Sequence, residues 1–200
     1  MPSRPTSDPP ENTARDAPEN TARDAPENTA RDAPENTARD APENTARVIA
    51  LRLLESQPRT RAELARAMAR RGVPPDAATA VLDRFEDVGL IDDDAFAAAW
   101  VQSRHTGRGL GRRALAQELR RRGVDEQTVR DAVSVVSSDD EQTAARALAQ
   151  RRLRSMSGLP RETQLRRLVA MLARKGFGHG LALSAARAAV DTAHEDTASG

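Results

Sequence analysis

From Val48 onward, large apolar residues recur three and four positions apart, the spacing that lines them along one side of a helix. Ile49, Leu53 and Leu54 form the first stripe, which ends at Gln57-Pro58. Thr60 and Glu63 have capping-box spacing and open a second helix, with Gly72 placed for a left-handed cap. Pro74-Pro75-Asp76 opens a third, striped by Val81, Leu82, Phe85 and Val88 and ended by Gly89. The cycle then restarts. Asp92 caps a helix carrying Phe96 and Trp100, and a glycine-rich, basic stretch from Gly107 to Gly111 reads as a flexible connector. Leu115 and Leu119 mark the next helix, closed by Gly123. Asp125 caps another, with Val129, Ala132, Val133 and Val136 inward. Ser138 with Glu141 gives a further capping box and starts a third cycle, with Ala144, Ala145 and Leu148 inward. Gly158 and Pro160 precede a helix carrying Leu165, Leu168, Val169 and Leu172. Gly176 closes it, and Leu183, Ala186 and Val190 mark the last. No stretch alternates apolar and polar residues in the β manner. The pattern predicts an all-α chain of nine helices in three groups of three.

One motif recurs in each group. Two apolar residues four apart precede a basic pair, a glycine and another apolar residue. The copies are Leu64 and Met68 before Arg70-Arg71-Gly72-Val73, Leu115 and Leu119 before Arg121-Arg122-Gly123-Val124, and Leu168 and Leu172 before Arg174-Lys175-Gly176-Phe177. The first apolar residue always lies 8 positions before the glycine, and the glycines are 51 and 53 residues apart. A unit repeated in fixed register points to a tandem array with a long contact surface.

The first 47 residues differ. Pro-Glu-Asn-Thr-Ala-Arg occurs five times at an interval of 8, joined by Asp-Ala. Apart from Met1, no large apolar residue precedes Val48. Such a segment cannot bury enough surface to offset the entropy of ordering it, and its regular prolines interrupt a helix. The expected organisation is a disordered acidic tail over 1–41, three-helix repeats over 42–91, 92–137 and 138–194, and a disordered C-terminus over 195–200. Asp40 and Glu43 also have capping spacing, which places the first helix start in the last tail copy.

The net charge of +1 hides an asymmetry. Residues 1–46 carry 5 Arg against 10 Asp and Glu, and the remainder 26 basic against 20 acidic residues. A basic body with an acidic tail suits a nucleic-acid or nucleoprotein partner. The absence of cysteine excludes disulfides and thiolate metal sites and fits a reducing cytosol. The N-terminus has no signal-like apolar core. The longest apolar run, Ala95 to Val101, has 7 residues, against the ~20 of a spanning helix. The expectation is a cytoplasmic protein without a membrane, cofactor, metal or small-molecule substrate.

Catalytic candidates are few. His105, His179 and His194 fall in separate regions, and there is no tyrosine. Gly107 to Gly111 lacks the preceding strand and the following Lys-Ser or Lys-Thr of a phosphate loop. Asp92-Asp93-Asp94 is explained by helix capping. The strongest candidate is the basic segment holding Arg104, Arg108, Arg112, Arg113, Arg120, Arg121 and Arg122 against the single acid Glu118. At about 100° per residue, Arg113, Arg120 and Arg121 share a side opposite Leu115 and Leu119. Such guanidinium groups suit phosphates or partner carboxylates; a solvated arginine face is the equal alternative. Arg151, Arg152 and Arg154 form a weaker cluster.

Val88-Gly89-Leu90-Ile91-Asp92-Asp93, then Phe96-Ala97, Ala99-Trp100-Val101 and Ser103-Arg104, resembles the most characteristic stretch of the RecX family. Arg112 to Val124 and Thr60 to Ala65 fit the same pattern, and the likeness covers about residues 46 to 190. The resemblance implies an elongated, curved array of tandem three-helix repeats. It also implies a non-enzymatic cytoplasmic regulator that binds the RecA nucleoprotein filament along its groove. ATP hydrolysis, strand exchange and co-protease activity would fall. Whether single- or double-stranded DNA is also contacted directly stays open at this point. The repetitive tail is no part of the family pattern. It could screen the basic face or be a passive appendage.

Two other functions fit parts of the chain. Thr60 to Leu90 can be read as a winged helix-turn-helix of a transcription regulator, which requires a two-stranded wing after Ile91. A generic helical-repeat scaffold for another protein is the other.

Overall fold

The computed structural model describes the backbone of residues 33–198 and the side chains of residues 40–195. Among the described residues there are nine α-helices and no strand. Three make a first module: α1 (Ala33–Ser56), α2 (Arg61–Ala69) and α3 (Pro75–Asp87). The second contains α4 (Asp93–Arg108), α5 (Arg112–Arg122) and α6 (Glu126–Ser134). The third contains α7 (Ser138–Leu153), a 3-10 turn (Arg154–Met156), α8 (Arg161–Arg174) and α9 (His179–Ala198). The wing demanded by the helix-turn-helix alternative is absent, because α4 occupies its place.

Local chemistry sets most helix starts. Thr60 accepts from the Glu63 amide at 3.1 Å and Glu63 reaches back to the Thr60 amide, the reciprocal box its spacing predicts. Asp92 accepts from the Ala95 amide at 2.7 Å, and Asp125 from those of Gln127 and Thr128. In the third module the box is shifted by one residue from the expected Ser138 and Glu141. Ser137 and Asp140 form it. The shift releases Glu141 from the helix end for a buried ion pair.

Helix α1 departs furthest from the sequence expectation. It begins at Ala33, not at the Asp40 cap, and contains Pro42. Ala46 and Ala50 are fully buried in the first core and anchor the helix. Upstream propagation costs little for Ala, Glu and Arg, and one proline forfeits one backbone hydrogen bond. The tail boundary at 41 therefore moves to within the helix, while residues 1–32 lie outside the described residues. At the other end, α9 continues to Ala198 through part of the expected disordered C-terminus.

Each module encloses its own apolar core. The first runs from Ala46 to Ile91, the second from Ala97 to Val136 and the third from Ala145 to Val190. Both apolar residues of the repeated motif lie at the centre each time. Leu64, Met68, Leu115, Leu119, Leu168 and Leu172 all have 0 % exposure. The following residue closes the core in each copy, as Val73, Val124 and Phe177.

Modules join end to end through their second helices. The buried Thr60 hydroxyl donates to the Arg122 carbonyl at 2.8 Å while capping α2. Glu63 pairs with Arg122 at 2.6 Å, and the Arg61 amide donates to Asp93 at 2.9 Å. At the second joint the Gly111 amide donates to the Lys175 carbonyl at 2.9 Å, and Lys175 Nζ reaches the Arg108 carbonyl at 2.7 Å. Helix α5 thus bears on the first module with its C-terminus and on the third with its N-terminus.

The motif glycines make these contacts close. Gly123 and Gly176 both have φ of 90°, which favours glycine. A Cβ on either would stand 2.4 Å from an alanine Cβ, Ala62 and Ala114 respectively. The Gly107 to Gly111 stretch is accordingly not a loose connector. Its last residue packs on Gly176, where an added Cβ would meet the backbone at 2.8 Å.

Candidate functional site

The basic segment does not form one uniform face. Arg112 donates from its amide at 2.9 Å and its Nε at 3.0 Å to the buried Glu141, tying α5 to α7. Arg120 makes two hydrogen bonds to Glu126, at 2.8 and 2.7 Å. Those bonds hold the Arg120 guanidinium above its ordinary pKa range and the Glu126 carboxyl below its own. Arg122 belongs to the first joint. These three arginines have partners within the fold.

Arg104 and Arg122 converge on Trp100. Their guanidinium carbons lie 4.0 and 3.7 Å from its ring centroid, and Phe96 stacks on it at 5.8 Å. The indole N–H donates to Glu118 at 2.9 Å, and Arg104 approaches the same carboxylate at 3.8 Å. Phe96 and Trp100 are half-buried at the edge of the second core. With two guanidinium groups over it, the indole serves as a cation–π post rather than a free stacking platform.

The remaining candidates are exposed. Arg113 and Arg121 stand at opposite ends of α5, and neither has a carboxylate partner among the described residues. Arg108 and Arg151 rim a groove between the second and third modules. Arg152 bonds Ser155, and Arg154 lies beside a separate hollow in the third module. The structure therefore separates Arg113 and Arg121 from Arg120, which their shared helical side grouped together.

The other side of the first joint is acidic. Glu86, Asp92, Asp93, Asp94 and Asp125 surround a cleft of about 680 Å³. Burial, together with Glu86 and Asp125, raises the Asp93 carboxyl above its ordinary pKa range, against the Arg61 amide that it accepts. Arg61 pairs with Glu86 at the wall of this cleft, and Asp92 lines both the cleft and the neighbouring groove that holds Arg59 and Arg122.

Sequence pattern alone did not single out Arg59, Val135 or the pairing role of Glu141. Arg59 follows a proline and carries no motif, yet its Nε is buried without a hydrogen-bond partner. Val135, which follows α6 and lies outside its inward stripe, is 76 % exposed. Its signal lies in module register, three positions before the next module begins.

Comparison with known proteins agrees across the three modules. Residues 46–85, 92–133 and 139–185 match the family models for the first, second and third three-helix domains of RecX. The chain is 54 % identical over 151 residues to the regulatory protein RecX of Streptomyces coelicolor, covering 76 % of this chain and 80 % of that protein. It is 57 % identical over 136 residues to that of Thermobifida fusca, covering 68 % and 74 %. The crystal structure of RecX from Lactobacillus salivarius superposes with a TM-score of 0.69 at 19 % identity, over 75 % of this chain and 97 % of that one. A second crystal structure of a regulatory protein RecX gives 0.67 at 23 % identity, over 74 % and 72 %.

Proposed function

Because the chain belongs to the RecX family, we propose that it binds the RecA nucleoprotein filament and restrains its ATPase, strand-exchange and co-protease activities. It acts in the cytoplasm by binding rather than by catalysis, and DNA within the filament is a second contact. No described helix is long and apolar enough to cross a membrane.

The observation that carries the reading is α5, which spans both joints and leaves Arg113 and Arg121 exposed and unpaired. Cations held on a rigid helix suit phosphates or carboxylates that recur along a polymer. Three similar modules in series can engage successive subunits, so that individually weak contacts sum through linkage. A concentrated field of RecA protomers along DNA supplies such a repeated target.

The test is the ATPase and strand-exchange activity of RecA filaments with substoichiometric purified protein. Inhibition by the wild-type chain is expected. The double variant Arg113→Glu, Arg121→Glu should lose inhibition by tenfold or more in required concentration while keeping its helical circular dichroism. Undiminished inhibition by the folded double variant removes the arginine site. Absence of any wild-type effect removes the function.

A further inference from the structure

Two grooves cross the molecule, one at each joint, and they are the same groove repeated. The first, about 420 Å³, lies between the end of α1, the turn before α4 and the face of α4. The second, about 520 Å³, lies between the end of α4, the turn before α7 and the face of α7. Their linings share register. Leu54 and His105 each stand seven positions before the second helix of their module. Leu90 and the groove-lining Val135 each stand three positions before the next module's first helix, and Ala99 and Ala144 occupy the same place within those helices.

At the shared turn position both grooves present an apolar side chain to solvent: Leu90 is 49 % exposed and Val135 76 %. Exposed apolar residues at one register of a repeat mark a contact surface. The first groove has one cation without a carboxylate partner and the second has two, beside the helix-capping carboxylates Asp92 and Asp140 respectively. In the first, Arg59 has its buried Nε unbonded. In the second, Arg108 and Arg151 stand on the rim. Arg59 is half-buried and makes no salt bridge among the described residues, so the part of its guanidinium that reaches the groove is open to an incoming acceptor. The apolar floors and the already covered Trp100 ring favour protein over a nucleobase.

We propose that the two grooves at the module joints are tandem docking sites for one and the same segment of a partner polymer, a short apolar stretch flanked by a carboxylate, presented by two of its subunits. The inference rests on the RecA-filament reading and names the surface that does the docking.

The chain has no cysteine, so a single one can report occupancy. Leu90→Cys, Val135→Cys and a control, Glu162→Cys on the exposed start of α8, are each alkylated with a maleimide, alone and with RecA filaments on single-stranded DNA. Filament binding by each variant is followed separately by co-sedimentation. The expected result is at least fivefold slower alkylation at both groove positions and an unchanged rate at the control. Binding with undiminished alkylation at either groove position overturns tandem docking. Protection by single-stranded DNA alone, or by raising the concentration of the protein itself, assigns the grooves to another occupant and also overturns it. Failure of the unsubstituted chain to co-sediment sinks the filament reading instead, which keeps the two failures apart.

Discussion

Leu119 shows what a residue in this chain is for. It lies four positions before Gly123, has an apolar side chain, and is wholly removed from solvent within the second core. Its removal leaves a hole bounded by three short helices that cannot all move inward. Leu119→Ala should therefore cost about 2–5 kcal/mol, read as a lower midpoint in denaturant unfolding with the slope unchanged. Gly176→Ala tests the opposite failure. Its new methyl would meet Ala114 in a backbone region that disfavours side chains, so the third module should loosen from α5. Amide exchange along α5 and α8 would report that loosening, and unaltered protection there would refute the close joint. Asp93 carries a sign of its own. Its pKa is raised in the fold, first by burial and then by Glu86 and Asp125. A carboxyl raised above its unfolded value contributes stability at low pH that is lost as pH rises through the folded pKa. Asp93→Asn keeps an acceptor for the Arg61 amide and removes the charge, so the variant should match or exceed wild-type stability at pH 7. Thermal melts at pH 4 and 7 should show its advantage growing with pH.

At the scale of the element, helices were legible wherever a side chain caps its own chain. Thr60, Asp92 and Asp125 cap as their spacing predicts, because the acceptor and the amides it serves lie within one turn. The Ser137 box was missed by one residue because Glu141 fits the motif equally well in sequence. A distant residue decides the matter: Arg112, from the preceding module, takes Glu141. The start of α1 was missed for a similar reason, since burial of Ala46 and Ala50 overrides the local objection of Pro42. For the same reason arginine spacing on α5 revealed a basic segment but not its division, which depends on carboxylates from α2, α6 and α7. Arg112→Ala keeps the amide bond to Glu141 but removes the guanidinium that balances its charge, and should cost about 1–3 kcal/mol. The double variant Arg112→Ala, Glu141→Gln should recover part of that loss in the same unfolding measurement. The caps also predict acid behaviour. Asp125 and Asp140 are held below the ordinary carboxylate range, chiefly by side-chain hydrogen bonds from Thr128 and Ser137. Their contribution is complete above the unfolded carboxylate range and is lost as pH falls through their lowered folded values. Helicity of α6 and α7 should fray there before the buried cores are lost.

On the scale of the whole molecule, a screening role for the repetitive N-terminal segment predicts a behaviour that a passive appendage does not. Residues 2–32 carry 4 Arg against 7 Asp and Glu, while Arg108, Arg113, Arg121 and Arg151 stand exposed without carboxylate partners. In the screening role, carboxylates tethered to the same chain would act at an effective concentration independent of that of a partner. They would compete with phosphate and carboxylate groups of the filament by the same screened attraction, which extends about 10 Å at 0.1 M salt. Deletion of residues 2–32, which stops short of the helix beginning at Ala33, removes the competitor without shortening α1. The shortened chain should bind RecA filaments severalfold more tightly at 50 mM salt than the full chain does. Near 0.5 M salt the two should converge, because both the competitor and the contact are screened. The salt dependence of the shortened chain should accordingly be the steeper of the two. Equilibrium titration of both chains across that range decides the point: parallel binding curves would mean that the repeats exert no electrostatic hold on the arginines.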